Sequence, residues 1–247
     1  MHVLLDLWGT LLDSTRMHEA FGPRMAGILA ARIGGDPGAW RRAYDAAWPW
    51  YSARAAATDW TRGDYLEEVG RLDGEYVERI LKGAGASWRP ADAASFWAEV
   101  EGAVMASVDA RFPDTRPALE RLRAAGHRVV VVTSATDSNA RGSLAGAGCL
   151  DLLDDVFSGT RVNRHKSTVD YWGRVLGGMH APPEASFVVD DRLVYLEAAA
   201  KAGIPAVLLD RMSAHPPDGL PSFVRATLRN LAGLPHLADL IERGEAP

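Results

Sequence analysis

Short apolar runs that stop abruptly at a polar residue punctuate the chain. Val3-Leu4-Leu5 ends in Asp6, Arg128–Val132 in Thr133, Phe187-Val188-Val189 in Asp190, and Ala206–Leu209 in Asp210. A weaker run, Val156-Phe157, ends in Ser158-Gly159. Runs this short, apolar throughout instead of alternating, mark strands buried on both faces. Between them lie helical patterns over 116–125, 138–147 and 194–202, each followed by a glycine (Gly126, Gly148, Gly203). A glycine just past the last turn is a common helix stop, because it adopts the left-handed conformation freely. Strands alternating with helices of this length predict an α/β fold with a Rossmann-like parallel sheet core and helices on both faces.

The stretch from about residue 14 to residue 110 follows another rhythm. It has no strand-like run, and its apolar residues recur at helical spacing, as in Leu66, Val69 and Leu72 or Phe96, Trp97, Val100 and Val104. Its turn signals are Gly34-Gly35-Asp36-Pro37 and Arg89-Pro90. The chain therefore divides into a core, residues 1–13 and 112–247, and an inserted all-helical cap domain, residues 14–111. Six of the eight tryptophans fall in the insertion (Trp40, Trp48, Trp50, Trp60, Trp88, Trp97). Most are expected to pack its interior, with one or two lining a substrate pocket.

Composition narrows the function classes. A length of 247 residues suffices for one α/β core with an appended unit. The net charge of −5 excludes a broad phosphate-neutralising stripe, so no nucleic-acid partner is expected. Cys149 is the only cysteine, which excludes an intrachain disulfide or a thiolate zinc site. No signal-peptide pattern and no apolar run of membrane-spanning length occur, so a soluble cytoplasmic protein without a membrane partner is expected.

In open parallel sheets, ligands bind outside the carboxyl ends of the strands. Asp6, Thr133 and Asp190 all fall at such ends. A strand-end carboxylate before Gly-Thr serves either as a turn cap or as a nucleophile. Ser134 and Ser138 lack His and Asp partners for a serine triad, and no Walker-type loop occurs.

Four motifs then stand in order: Asp6-Leu7-Trp8-Gly9-Thr10-Leu11; Val129-Val130-Val131-Val132-Thr133-Ser134; Lys166 in Asn163-Arg164-His165-Lys166-Ser167; and Val189-Asp190-Asp191 leading to Ala202-Gly203. Together they resemble the motifs of the haloacid dehalogenase-like hydrolase superfamily, over residues 1–13 and 112–210. The resemblance implies that Asp6 is a nucleophile, with Thr133 and Lys166 completing the catalytic set. It implies that Thr10, Ser134 and the cap residue Arg41 bind a small, anionic substrate. It further implies Mg²⁺ held by Asp6, the backbone carbonyl of Trp8, Asp190 and Asp191, and hydrolysis of a small phosphorylated metabolite.

Trp8 departs from the pattern. It stands where the family's phosphatases carry a second aspartate that protonates the leaving group, and an indole has no such role. The family's dehalogenases carry an aromatic there, so a metal-independent 2-haloacid dehalogenase is the alternative, with Arg41 or Arg42 taking the substrate carboxylate or the halide. Against it stands the Asp190-Asp191 pair, whose charge suits a metal and opposes an anion. A third reading is a catalytically weak member that binds a ligand or partner. Ser167 and Tyr195 also differ from common family residues. His165, beside Lys166, reads as an ordinary loop histidine.

Overall fold

In the computed structural model, which describes residues 1–216 and 219–245, β1 (His2–Leu5) occupies the middle of a six-stranded sheet. The other strands are β2 (Arg128–Val132), β3 (Asp155–Phe157), β4 (Ser186–Asp190), β5 (Ala206–Leu209) and β6 (Val224–Leu228). The order is β3-β2-β1-β4-β5-β6, and every neighbouring pair is parallel. The chain winds outward from β1 through β2 and β3 on one side, and through β4, β5 and β6 on the other. The reversal falls between β1 and β4, where a crevice opens at the carboxyl ends.

Each buried strand feeds two cores, because successive side chains point to opposite faces. Val3, Leu5, Val129 and Val131 pack with Ala118, Leu122, Leu144 and Leu237, from α5 (Thr115–Ala124), α6 (Asp137–Gly146) and α10 (Leu234–Glu242). Leu4, Val130 and Val132 pack with Trp172, Val175 and Leu196, from α8 (Val169–Met179) and α9 (Leu193–Lys201). A short helix, α7 (Gly159–Val162), precedes α8.

Between β1 and α5 run four helices: α1 (Ser14–Ile33), α2 (Pro37–Ala57), α3 (Tyr65–Gly83) and α4 (Ala93–Ala106). Each begins at an aspartate, Asp13, Asp36, Asp64 or Asp92, whose carboxylate accepts first-turn backbone N–H groups. Such caps satisfy otherwise orphaned donors, typically contributing about 1 kcal/mol each. The helices share their own core of Met25, Leu29, Tyr76, Trp97 and Val100. This insertion is seated on the sheet domain through α4 and α6, which approach backbone to backbone. A Cβ on Gly142 would lie 2.6 Å from the Gly102 carbonyl oxygen. No described helix is long and apolar enough to cross a membrane.

Four elements lie beyond the sequence expectations: α7, α8, β6 and α10. β6 (Val-Arg-Ala-Thr-Leu) alternates half-buried with exposed positions, as an edge strand covered on one face does.

Candidate active site

Asp6 continues β1 past its last pairing, its N–H donating to the Val189 carbonyl at 2.9 Å. The loop that follows folds back on itself: Leu11 and Leu12 N–H donate to the Leu7 carbonyl, and Gly9 N–H donates to that of Leu12. Gly9 has φ +87°, a left-handed conformation that glycine adopts without strain. Its missing side chain also matters, since a Cβ there would sit 2.2 Å from Asp191 Oδ2. Arg211 clamps the loop from outside. It donates to the Thr10 carbonyl at 2.8 Å while paired with Asp114 and stacked over Phe112.

Lys166 reaches the crevice from the segment between α7 and α8 and is fully buried. Its Nζ lies 2.7 Å from Asp6 Oδ1, 2.6 Å from Asp190 Oδ2 and 2.8 Å from the Val132 carbonyl. The contact to Asp190 is a close ion pair between two fully buried side chains. Trp172 anchors the lysine loop by donating Nε1–H to the Lys166 carbonyl at 3.0 Å. Burial alone would lower the ammonium pKa, but Asp190 and Asp6 outweigh it and hold Lys166 firmly charged.

Three carboxylates surround that one ammonium. Asp6, Asp190 and Asp191 each place an oxygen within 4.8 Å of the others. Burial drives Asp6 up to about 7, with Lys166 pulling down and Asp190 pushing up. Asp190 is raised by burial against the pull of Lys166, and Asp191 by burial and then by the charge of Asp6. Asp190 Oδ2 is buried against the Lys166 ammonium, and Asp191 Oδ1 is buried with no hydrogen-bond donor. One positive charge does not balance this group, and hard oxygen ligands in such surroundings suit Mg²⁺.

The remaining expected site residues divide. Thr133 is buried, and its Oγ1 accepts only the Ala135 N–H. Ser134 is half-buried beside it, its carbonyl taking the hydroxyl of Tyr65 from α3. Thr10 is fully buried with an unpartnered hydroxyl. The Arg41 guanidinium rests over Gly22 of α1 and pairs with Asp45 at 2.8 Å. Arg42 is exposed and faces Asp36. His165 packs against Trp60, Tyr65 and Tyr195, and burial lowers its pKa to about 4, which keeps the ring neutral.

Beside the loop lies a cavity of about 260 Å³ between the insertion and the sheet domain. Trp8 and Asn139 of α6 line it from the sheet domain, while Asp6 itself does not line it. Trp48 and Trp97 are the two tryptophans of the insertion that face it. The Trp8 indole N–H donates to Asn139 Oδ1 at 3.1 Å, and Asn139 Nδ2 donates to Glu101 Oε1 at 3.0 Å. Glu101 Oε2 takes the hydroxyls of Thr136 and Ser138 at 2.6 and 2.8 Å. Asn139 and Glu101 escaped the sequence reading, because nothing local marks a pair that meets across 38 residues.

A sequence model of the haloacid dehalogenase-like hydrolases matches residues 1–203. The chain belongs to that family. Solved structures resemble this haloacid dehalogenase-like hydrolase along its whole length, at identities that speak to fold alone. A 2-haloacid dehalogenase from Pseudomonas syringae pv. Tomato DC3000 is 19% identical with TM-score 0.67, over 97% of this chain and 99% of that one. An HAD phosphatase from Thermococcus onnurineus is 21% identical with TM-score 0.61, over 100% and 99%. The putative HAD-hydrolase YfnB from Bacillus subtilis, solved bound to magnesium, is 15% identical with TM-score 0.59, over 96% and 98%. No curated protein matches the sequence.

Proposed function

We propose that this hydrolase is a Mg²⁺-dependent phosphoryl hydrolase with Asp6 as nucleophile, acting on a small phosphorylated metabolite beneath a helical cap formed by residues 14–111. The observation that carries the reading is the imbalance of three converging carboxylates around one buried ammonium. Asp6, Asp190, Asp191 and the Trp8 carbonyl would hold the ion. When bound, it supplies charge that offsets repulsion between a carboxylate and an anionic phosphoryl group.

An Asp6 carboxylate oxygen attacks phosphorus, the bond from phosphorus to the leaving oxygen breaks, and its electron pair departs with that oxygen. Water then attacks phosphorus of the aspartyl phosphate and frees the carboxylate. Lys166 fixes Asp6 in place, and the Thr133 and Thr10 hydroxyls, both short of partners, would donate to phosphoryl oxygens. Trp8 protonates nothing, so the rate depends steeply on how stable the departing anion is.

The second reading, carbon–halogen hydrolysis, is favoured by Trp8 itself. It is opposed by the site's charge, because a haloacid carboxylate would meet three acids here and Glu101 in the adjoining cavity, whose wall holds no Lys or Arg.

The test compares phosphate release from p-nitrophenyl phosphate and from an alkyl phosphate, with and without Mg²⁺, in wild type and Asp6→Asn. We expect Mg²⁺-dependent release that Asp6→Asn abolishes, and a preference for the nitrophenyl ester of about 100-fold or more, the usual worth of a missing general acid. Metal-independent halide release from 2-chloropropionate, without phosphate release, would establish the second reading instead. Neither activity alongside intact Mg²⁺ binding would point to a binding protein.

A further inference from the structure

The walls of the cavity beside Trp8 are mostly aromatic. Trp8, Tyr44, Trp48, Tyr51, Tyr76 and Trp97 face it from the sheet domain and from three helices of the insertion. Their rings are locked against one another: Tyr51 and Tyr76 lie 4.5 Å apart between centroids, and Tyr76 meets Trp97 edge-on at 5.0 Å. An apolar ligand would need nothing more. Polar groups break that simplicity: Ser14, His18, Glu101 and Asn139 share the wall.

Glu101 is the one acidic residue in the wall. It is held by three donors, the Thr136 and Ser138 hydroxyls and the Asn139 amide, and has no Lys or Arg partner among the described residues. Those donors fix its orientation without cancelling its charge. Tyr76, on α3 and only 1% exposed, contributes its ring to the same wall. Ring faces and a carboxylate with no Lys or Arg counter-ion attract positive charge.

We infer that this cavity binds an organic cation, an amine or quaternary ammonium group carried on the leaving portion of the substrate. The inference rests on the phosphoryl reading above for the reacting end of that substrate. It also bears on Trp8. A positive charge near the leaving oxygen stabilises the anion that departs, offsetting part of what an absent general acid would supply. The residue that removes the acid thereby also forms one wall of the cation site.

Choline and its neutral isostere 3,3-dimethylbutan-1-ol serve as probes, titrated without Mg²⁺ and followed by tryptophan emission, since Trp8, Trp48 and Trp97 stand in the wall. We expect choline to bind at least about tenfold more tightly than the isostere, the scale of a desolvated cation–π contact. Glu101→Gln should erase that preference. Equal affinities, or a preference for the neutral probe, would overturn the inference on wild-type protein alone, whether or not the variant folds. A preference that survives intact in folded Glu101→Gln would overturn it as well. Turnover of p-nitrophenyl phosphate is scored separately. Mg²⁺-dependent turnover without a choline preference sinks the cation site and leaves the phosphoryl reading standing, and a choline preference without turnover does the reverse.

Discussion

Replacing Lys166 with methionine removes the ammonium while nearly conserving side-chain length and volume. The ammonium lies within 2.7 Å of both Asp6 and Asp190, and no water-exposed path relieves the loss, because Lys166 and Asp190 are fully buried. Breaking a buried pair from one side leaves uncompensated charge and typically costs about 3–5 kcal/mol. For a chain of this size that corresponds to a fall in Tm of roughly 6–20 °C. The deficit must depend on pH. Burial already raises the folded-state pKa of Asp6 and Asp190, and without Lys166 both rise further. Acids raised in the folded state take up protons more readily there than in the unfolded chain, so their penalty is absent at low pH and grows as pH climbs through the folded values. Denaturation of wild type and Lys166→Met, without divalent ions, should therefore show a larger gap at pH 8 than at pH 5. Adding Asp190→Asn to Lys166→Met should recover part of it. A loss below about 1 kcal/mol at pH 8, or a gap indifferent to pH, would refute the picture of a charge-bearing lysine between two buried carboxylates.

Gly9→Ala would bring a methyl group against Asp191 and force a left-handed alanine, adding about 1–2 kcal/mol of strain. By calorimetry Mg²⁺ should bind about tenfold or more weakly to this variant, and an unchanged affinity would remove Asp191 from the ion's surroundings. Asp73 is buried on α3, takes the Tyr51 hydroxyl at 3.0 Å, and is pushed up to about 8 by burial and by the charge of Glu101. Its contribution to stability is complete at pH below the unfolded value and fades as pH rises toward 8, at up to ~1.4 kcal/mol per pH unit. Urea denaturation should show Asp73→Asn gaining on wild type between pH 5.5 and pH 8, and parallel pH profiles would contradict that.

Legibility in the sequence followed how much of each signal is local. Strands buried on both faces are apolar throughout, so β1, β2, β4 and β5 could be read with their polar tips, and the tips of β1, β2 and β4 carry Asp6, Thr133 and Asp190. The same criterion passed over β6, because an edge strand alternates and its Val224, Ala226 and Leu228 are separated by Arg225 and Thr227. Helix α8 was hidden by Gly173, Gly177 and Gly178, which depress helix propensity although Tyr171, Trp172 and Val175 pack it firmly. Arg41 shows the limit for side chains. A helical arginine in the insertion can face the crevice or its own neighbours, and here Asp45, one turn on, together with the open surface of Gly22, takes the guanidinium. Glu101 and Asn139 are joined only by the packing of α4 on α6.

Trp8 binds these two kinds of information together. Read along the chain, it is a subtraction, an aromatic ring where an acid belongs. In the folded protein the same indole donates to Asn139, which in turn donates to Glu101, and its ring lines the cavity from the sheet domain. An aspartate at this position would put a further carboxylate beside Glu101 and alongside the Asp6, Asp190 and Asp191 group, where like charges already raise one another's pKa. Tryptophan avoids that repulsion and supplies an aromatic surface instead. On the proposed phosphoryl reading, Asp6 would act on substrates whose leaving group is stabilised by its own charge, and an aromatic cavity with one carboxylate lacking a Lys or Arg partner is the place where such a charge would be held.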